Sequence, residues 1–198
     1  MRVFLAGVSC VGKSAIGSSL AELLGVEFFD LDDEIEVFFG ASIERLQQRF
    51  LTMDSYRKEA AKALVNVLER QGSADCVIAL PPSGLMGAYW RVIKKSPGTI
   101  VALKAKPEKI LERITFYDAN SKPIARKLTS DAKRHYLRKI KQDISYFTRT
   151  YKRAHLQFDI SGLNIEQAAY NLKEALKVTS VTLPMQTSNS SSRLRVAE

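Results

Sequence analysis

Cysteine, histidine and long apolar stretches are scarce in this sequence. Its 198 residues include 2 cysteines and 2 histidines. Two cysteines cannot form the disulfide framework of a small secreted protein, so we expect a reducing, cytoplasmic location. The histidines, His135 and His155, lie far from either cysteine along the chain, and we predict that each is a surface or structural residue rather than a metal ligand. No apolar run approaches the roughly 20 residues that a membrane-spanning helix requires, so no membrane partner is expected.

The remaining composition is that of an ordered globular protein. Apolar residues make up 45% and charged residues 26% of the chain, which excludes a wholly disordered protein. Short apolar runs alternate with helical patterns, and the predicted strands cover residues 3–6, 26–29, 76–80, 99–103 and 156–160. Because strands that alternate with helices form parallel sheets, we predict a three-layer α/β fold: a five-stranded parallel sheet with helices on both faces.

The spacing of apolar residues also places the helices and the ends of the domain. Predicted helices cover residues 13–24, 35–39, 43–50, 54–71, 89–95, 108–116, 131–153 and 165–177. Residues 117–130 are polar and contain Pro123, so we predict a loop there. Residues 178–198 lack periodicity and contain a serine-rich run, which predicts a disordered tail. We therefore expect a single domain over residues 1–177.

The basic charge is concentrated in one segment. Lysine plus arginine number 30 and aspartate plus glutamate 21, which gives a net charge of +9. Residues 104–153 hold 15 basic and 5 acidic side chains, a net charge of +10, so the rest of the chain is nearly neutral. Such a positive field attracts the phosphates of nucleotides, anionic metabolites or nucleic acids. No recognised RNA- or DNA-binding motif accompanies it, so nucleic acid is not the expected partner; that alternative predicts a steep dependence of binding on salt.

A phosphate-binding motif lies near the N-terminus. Residues 7–14 fit the pattern G-x-x-x-x-G-K-[ST], directly after a predicted strand and at the start of a predicted helix. Its backbone N–H groups and the helix N-terminus would face phosphates, the Lys13 ammonium would neutralise the β- and γ-phosphates, and the Ser14 hydroxyl would bind Mg²⁺. The predicted nucleotide-binding residues are Gly7, Ser9, Cys10, Val11, Gly12, Lys13, Ser14 and Ala15.

Two carboxylates follow the second predicted strand. Asp30 and Asp32 come directly after Phe28 and Phe29, and ligands of a parallel sheet bind beyond the carboxyl ends of its strands. We therefore expect both carboxylates on the same rim as the phosphate loop. There Asp32 could orient or deprotonate an acceptor hydroxyl, and Asp30 could hold Mg²⁺ through a bound water. The alternative is that Asp32 or Asp33 caps the following helix.

With these motifs, the sequence resembles the shikimate kinase family, P-loop enzymes related to the nucleoside monophosphate kinases. The likeness covers most of residues 1–177 and rests on the phosphate loop, on Phe29-Asp30-Leu31-Asp32, on Phe39-Gly40-Ala41-Ser42-Ile43 and on Tyr56-Arg57. The resemblance implies a kinase that uses ATP and Mg²⁺ to phosphorylate shikimate on its 3-hydroxyl, on the route to chorismate and the aromatic amino acids. It also implies a mobile basic lid at about residues 117–130, and we expect a monomer.

The resemblance implies roles for individual residues as well. Asp32 would bind the shikimate hydroxyls and act as the base, and Lys13 would act with it in catalysis. Arg57 would bind the shikimate carboxylate, a task that suits the planar fork of a guanidinium. Arg113 would stack on adenine, and Lys122 would be the lid cation that contacts ATP.

The acceptor side departs from the family pattern. Pro81 and Pro82 follow the third predicted strand where the family has glycines, and Pro82, which has no N–H to donate, would face the substrate. The family's arginine four residues before Tyr151 is absent, so we assign its role to Arg149, with Arg153 as the alternative. These departures leave open a related kinase for another small hydroxylated or nucleotide substrate, or a non-catalytic ATP-binding module.

Overall fold

A five-stranded parallel sheet forms the centre of the molecule, as predicted. The computed structural model describes residues 1–70, 73–118, 122–124 and 128–182. The strands are β1 (Arg2–Ala6), β2 (Glu27–Asp30), β3 (Cys76–Ala79), β4 (Thr99–Lys104), β5 (Phe116–Tyr117), β6 (Pro123–Ile124) and β7 (Leu156–Asp159). The helices are α1 (Lys13–Leu24), α2 (Leu31–Phe39), α3 (Ile43–Gln48), α4 (Met53–Glu69), α5 (Gly87–Ile93), α6 (Pro107–Glu112), α7 (Ser130–Tyr151) and α8 (Ile165–Thr182). The strand order in the large sheet is β2-β3-β1-β4-β7.

The apolar runs in the sequence become the interior strands of this sheet. β1 pairs with β3 and with β4, so that Val3 lies opposite Val77 on one side and Thr99 on the other. Nearly all of β1 and all of β3 are buried, because helices cover both faces of a parallel sheet. β7, at one edge, instead alternates half-buried and exposed side chains.

Two pairs of helices cover the sheet. α1 packs against α8, and α4 packs against α5. The chain moves across the sheet in opposite directions after β1 and after β2, so right-handed crossovers place α1 and α4 on opposite faces. The strand order also puts the start of α1 and the start of α2 at the same edge of the sheet, where the strands end.

The observed helices differ from the predicted ones by more than two residues at three helix ends, those of α2, α6 and α8. α2 begins at Leu31 rather than at residue 35, because the Asp30 carboxylate caps it by accepting a hydrogen bond from the Asp32 N–H at 3.1 Å. α6 ends at Glu112, and β5 and β6 form an antiparallel hairpin within the predicted loop. α8 continues to Thr182, beyond the predicted end at residue 177; the rest of the predicted tail, like residues 119–121 and 125–127, lies outside the described residues.

The edge strand β7 is extended by a histidine. The backbone N–H of His155 donates to the Ile100 carbonyl at 2.9 Å, and its Nδ1 accepts from the Ile100 N–H at 3.0 Å. The imidazole therefore continues the pairing of β4 with β7 by one residue, which confirms the predicted structural role of His155. Within the described part of the chain, no helix combines the length and apolar character needed to cross a membrane.

Candidate active site

The predicted motifs meet in one cleft at the carboxyl ends of the strands. Its volume is about 550 Å³. The lining residues are Ser9, Cys10, Gly12, Lys13, Ser14, Ala15, Ile16, Asp30, Asp32, Pro82, Arg113, Thr115, Leu163, Asn164 and Ile165. The phosphate loop, both carboxylates and the turn that starts with Pro81 and Pro82 (the proline turn) thus lie together. This is expected, because the carboxyl ends of parallel strands share one edge of the sheet.

The phosphate loop is held in shape by close packing. Gly7 has a φ of +149°, and a Cβ there would lie 2.8 Å from Val11 Cγ1 and 2.9 Å from the Leu103 carbonyl oxygen. Only glycine fits that position. Cys10 adopts a φ of +58°, in the left-handed region that non-glycine residues rarely occupy. The loop ends at Gly12, which directly precedes α1 and its free backbone N–H groups.

The Lys13 ammonium lies inside the loop that precedes it. Its Nζ donates to the carbonyl oxygens of Gly7 and Val8, at 3.0 Å each. Burial lowers the pKa of Lys13 from its ordinary value, while the negative charges of Asp32 and Asp30 oppose that shift. The ammonium is therefore positioned beside the helix N-terminus, where a phosphate group would be bound.

Ser14 and Asp30 form an oxygen pair at the start of α1. The Ser14 hydroxyl donates to one Asp30 carboxylate oxygen, and the other oxygen accepts from the Asp32 N–H. A hydroxyl and a carboxylate are ligands that suit Mg²⁺, which takes its remaining ligands from water and phosphates. The described residues contain no cluster of three or more His, Cys, Asp or Glu side chains that could enclose a metal ion by themselves.

Asp32 is a carboxyl group of the cleft with a raised pKa. Burial, reinforced by the neighbouring charge of Asp30, raises its pKa to about 6, and the Lys13 ammonium partly offsets this. A carboxyl group with this pKa is ionised at neutral pH, yet it is a stronger base than an exposed aspartate. Position and basicity together allow Asp32 to accept a proton from a hydroxyl group in the cleft.

The other end of the cleft surrounds Arg113. Its guanidinium, placed at the end of α6, donates to the Val11 carbonyl at 3.1 Å and lies 3.5 Å from the Leu163 carbonyl. Thr115 and the segment 163–165 complete this wall. The wall combines apolar surface with one cation, which suits a nucleobase. Segment 163–165 was not among the predicted site residues, because no motif marks it.

Comparison with known proteins supports the phosphate-binding chemistry that the cleft suggests. The family model for shikimate kinase matches residues 9–177. The chain is 33% identical to the shikimate kinase of Thermus thermophilus over 177 residues, which is 88% of this chain and 89% of that protein. It is 34% identical to the shikimate kinase of Chlorobaculum tepidum, covering 76% of this chain and 83% of the relative.

This chain belongs to the shikimate kinase family. Solved structures share its fold: the shikimate kinase of Bacteroides thetaiotaomicron superposes with a TM-score of 0.72 at 22% identity, covering 89% of this chain and 98% of that one. A shikimate kinase from Acinetobacter baumannii in complex with shikimate has a TM-score of 0.64 at 23% identity, covering 91% and 93%. The family and the fold inferred from the sequence are thus confirmed.

In this shikimate kinase family member, only some of the residues that the sequence assigns to acceptor binding line the cleft. Pro82 lines the cleft, and its carbonyl accepts a hydrogen bond from the Tyr151 hydroxyl at 3.0 Å. Arg57, on α4, lies just outside the cleft lining, with its Nε buried. Arg149 is exposed on α7 and does not line the cleft, and neither does the exposed Lys122.

Arg153, the alternative to Arg149 as the second arginine of the acceptor site, lies just after the end of α7. Its Nη1 donates to the Leu85 carbonyl at 2.5 Å, and its guanidinium lies 5.1 Å from the Trp90 ring centroid. It therefore contacts the segment that follows the proline turn, which Arg149 does not.

A second cleft, of about 410 Å³, lies between the end of β4, α7 and β7. It contains none of the predicted site residues. Its walls are mainly apolar side chains of Val8, Leu103, Ile110 and Ile144, with lysines around them.

Proposed function

We propose that this protein transfers the γ-phosphoryl group of ATP to the 3-hydroxyl of shikimate. The kinase activity follows from membership of the family, and shikimate is the acceptor named by its relatives. The observation that carries the proposal is the meeting of Lys13 and Asp32 in one cleft. A cation that neutralises the transferred phosphoryl and a carboxylate that accepts the hydroxyl proton are the two groups such a transfer needs.

The nucleotide half of the proposal assigns the triphosphate to the loop of residues 7–15. Lys13 would exchange its carbonyl partners for phosphate oxygens, and Arg113 would contact the adenine. Ser14 and Asp30 would hold Mg²⁺, which neutralises phosphate charge when bound. Lys122, on the hairpin between α6 and α7, would add a further cation when the predicted lid closes over the phosphates.

The acceptor half assigns the base to Asp32 and the carboxylate to arginine. Asp32 would take the proton of the 3-hydroxyl, and Arg57 would bind the shikimate carboxylate as a planar fork. Pro82 would border the ring without donating a hydrogen bond, since proline has no N–H. We assign the second cation to Arg153, because it contacts the segment after the proline turn and Arg149 does not.

The proline turn also favours a second candidate function. Replacing N–H donors by Pro81 and Pro82 removes polar contacts that shikimate would use, which fits a related kinase with a different small hydroxylated acceptor.

A cytoplasmic setting suits either enzyme, since both cysteines are free thiols.

An ADP-release assay across shikimate, nucleoside monophosphates and sugar acids separates the two candidates. We expect turnover with shikimate that exceeds turnover with the other acceptors. Lys13→Ala should lower kcat at least about 100-fold, because it removes a positioned charge at the phosphates. Turnover with a nucleotide or sugar acid but not with shikimate would establish the second candidate. Unchanged turnover in the Lys13 variant would refute both.

A further inference from the structure

The second cleft lies at the carboxyl ends of two neighbouring strands. β4 ends at Lys104 and β7 ends at Asp159; the two residues are partners across the strands, and both line the cleft. Val8, two residues after the end of β1, lines it as well. Parallel sheets bind ligands beyond the carboxyl ends of their strands. Among the described residues the two clefts have no lining residue in common, so the second one is a separate space in a favoured position.

The helix α7 covers this space without filling it. Of its 22 residues, only Ile140 and Tyr151 are buried. Ile144, between them on the same helix, is half-buried and lines the cleft together with Thr148. Close packing of α7 against the sheet would leave no such space, because protein interiors contain few voids larger than a water molecule. The volume of about 410 Å³ falls within the range of pockets that hold small molecules.

The inner wall of the second cleft is apolar. Val8, Leu103 and Ile110 are at most 5% exposed, and each contributes an aliphatic side chain to the lining. Water next to such a wall has few hydrogen-bond partners. An apolar group that takes its place is therefore stabilised by burial.

Three lysines from different elements surround the apolar wall. Lys104 ends β4, Lys106 directly precedes α6, and Lys152 directly follows α7. All three are exposed, so they form the rim of the cleft. Within the part of the chain that the structure describes, none of them forms an ion pair. Their ammonium groups are therefore available to an anion at the rim.

A single acidic residue, Asp159, is among the described lining residues. One of its carboxylate oxygens accepts a hydrogen bond from the Ser161 N–H at 2.8 Å. Hydrogen bonds from Ser161 hold the pKa of Asp159 below its ordinary value, and the charges of Lys104 and Lys106 add to this effect. Three lysines and one aspartate leave the lining with a net charge of +2, which favours an anion over a cation.

We propose that the second cleft is a binding site for a small organic acid, whose apolar body fills the space under α7 and whose carboxylate pairs with the lysines of the rim. A neutral apolar molecule would leave the lysines without a partner, and a small inorganic anion would leave the apolar wall uncovered. The long lysine side chains can lie along the apolar body while their charges stay at the rim. This site goes beyond the proposed function, which uses the first cleft alone.

The test titrates two molecules of the same shape into the full-length protein by calorimetry. The probe is 2-naphthoate, and the neutral control is 2-naphthamide. The naphthoate should bind with a Kd below about 1 mM, as expected for a ligand of this size in a preformed apolar pocket. The amide should bind at least about threefold more weakly, because it lacks the charge that the rim attracts.

Variants of the lining locate the bound probe. Lys104→Gln with Lys106→Gln should weaken naphthoate binding about 3- to 30-fold, the worth of two partly exposed ion pairs. The matched control is Lys94→Gln with Lys95→Gln, the same loss of charge at exposed positions outside the cleft, and it should change the Kd by less than about twofold. Ile144→Trp should weaken naphthoate and amide alike by at least about tenfold, because the indole occupies the space. The thermal midpoint shows that each variant is folded.

Four results would each overturn the inference: no binding of naphthoate at 1 mM, equal affinity for the amide, an equal loss in the two lysine variants, or displacement of the probe by saturating ADP and shikimate. The last result would place the probe in the first cleft; we expect a Kd within about threefold of that without them. Because the titration needs no turnover, a protein that fails to phosphorylate shikimate would contradict the proposed function and leave this inference standing.

Discussion

Replacing Asp32 by asparagine should stabilise the protein at neutral pH while it disables catalysis. The pKa of Asp32 is raised from 3.8 to about 6 by burial and by Asp30. A raised carboxyl pKa means that the fold disfavours the ionised form. Well below pH 3.8 the side chain is protonated in both the folded and the unfolded state, and ionisation costs no stability. The cost grows between pH 3.8 and pH 6 and is fully present above pH 6.

The size of this cost follows from the two pKa values. Their difference corresponds to about 3 kcal/mol of unfolding free energy at pH 7.5 and to less than about 1 kcal/mol at pH 4. Asp32→Asn should gain up to about 3 kcal/mol at pH 7.5, a figure that already includes the attraction between Asp32 and Lys13. The gain should nearly vanish at pH 4, where the wild-type side chain is largely protonated.

Urea unfolding at pH 7.5 and pH 4, together with the pH dependence of kcat/KM, measures both effects. The wild-type acidic limb of kcat/KM should have its midpoint near pH 6, because the base must be ionised. Asp32→Asn should lose that limb along with most of its turnover. A variant that is no more stable than wild type at pH 7.5, or that retains an acidic limb near pH 6, would refute the assignment of the buried base.

Two further predictions concern a thiol and an imidazole. Cys10 should be alkylated much faster than Cys76, because Cys10 lines the cleft whereas Cys76 is fully buried. Bound ATP should slow the labelling of Cys10. Equal labelling rates by mass spectrometry, with no effect of ATP, would contradict this prediction. His155→Leu should lower the free energy of unfolding by about 1–2 kcal/mol, because the Ile100 N–H loses its acceptor. Urea denaturation measures this loss. The control is His135→Ala at an exposed position, which should change the free energy of unfolding by no more than about 0.5 kcal/mol. An unchanged urea midpoint for His155→Leu would contradict the hydrogen bond from the Ile100 N–H to the imidazole.

The parts of the structure that local sequence rules govern were predictable. α1 was placed correctly at both ends, because glycines with positive φ flank it at positions 12 and 25. The phosphate loop and the two carboxylates came together as expected, since the strand pattern determines which edge they share. The start of α2 was misplaced because an acidic run suggested an end to the strand, whereas Asp30 both ends β2 and caps α2.

Contacts between segments that are distant in the sequence could not be predicted from local sequence patterns. The partner of Tyr151 is a carbonyl 69 positions away, at Pro82. The choice between Arg149 and Arg153 depends on where α7 ends relative to the proline turn. Each of these depends on tertiary packing, which one sequence does not reveal.

The position of the Lys13 ammonium has a consequence for the energetics of nucleotide binding. Its two hydrogen bonds to the Gly7 and Val8 carbonyls tie the first residue of α1 back to the start of the loop. A phosphate that binds Lys13 would compete with those two bonds, so the affinity for ATP is a difference between two sets of contacts. Lys13→Ala would remove a phosphate ligand together with the two bonds that join the ends of the loop. Weak ATP binding by this variant would therefore reflect both losses.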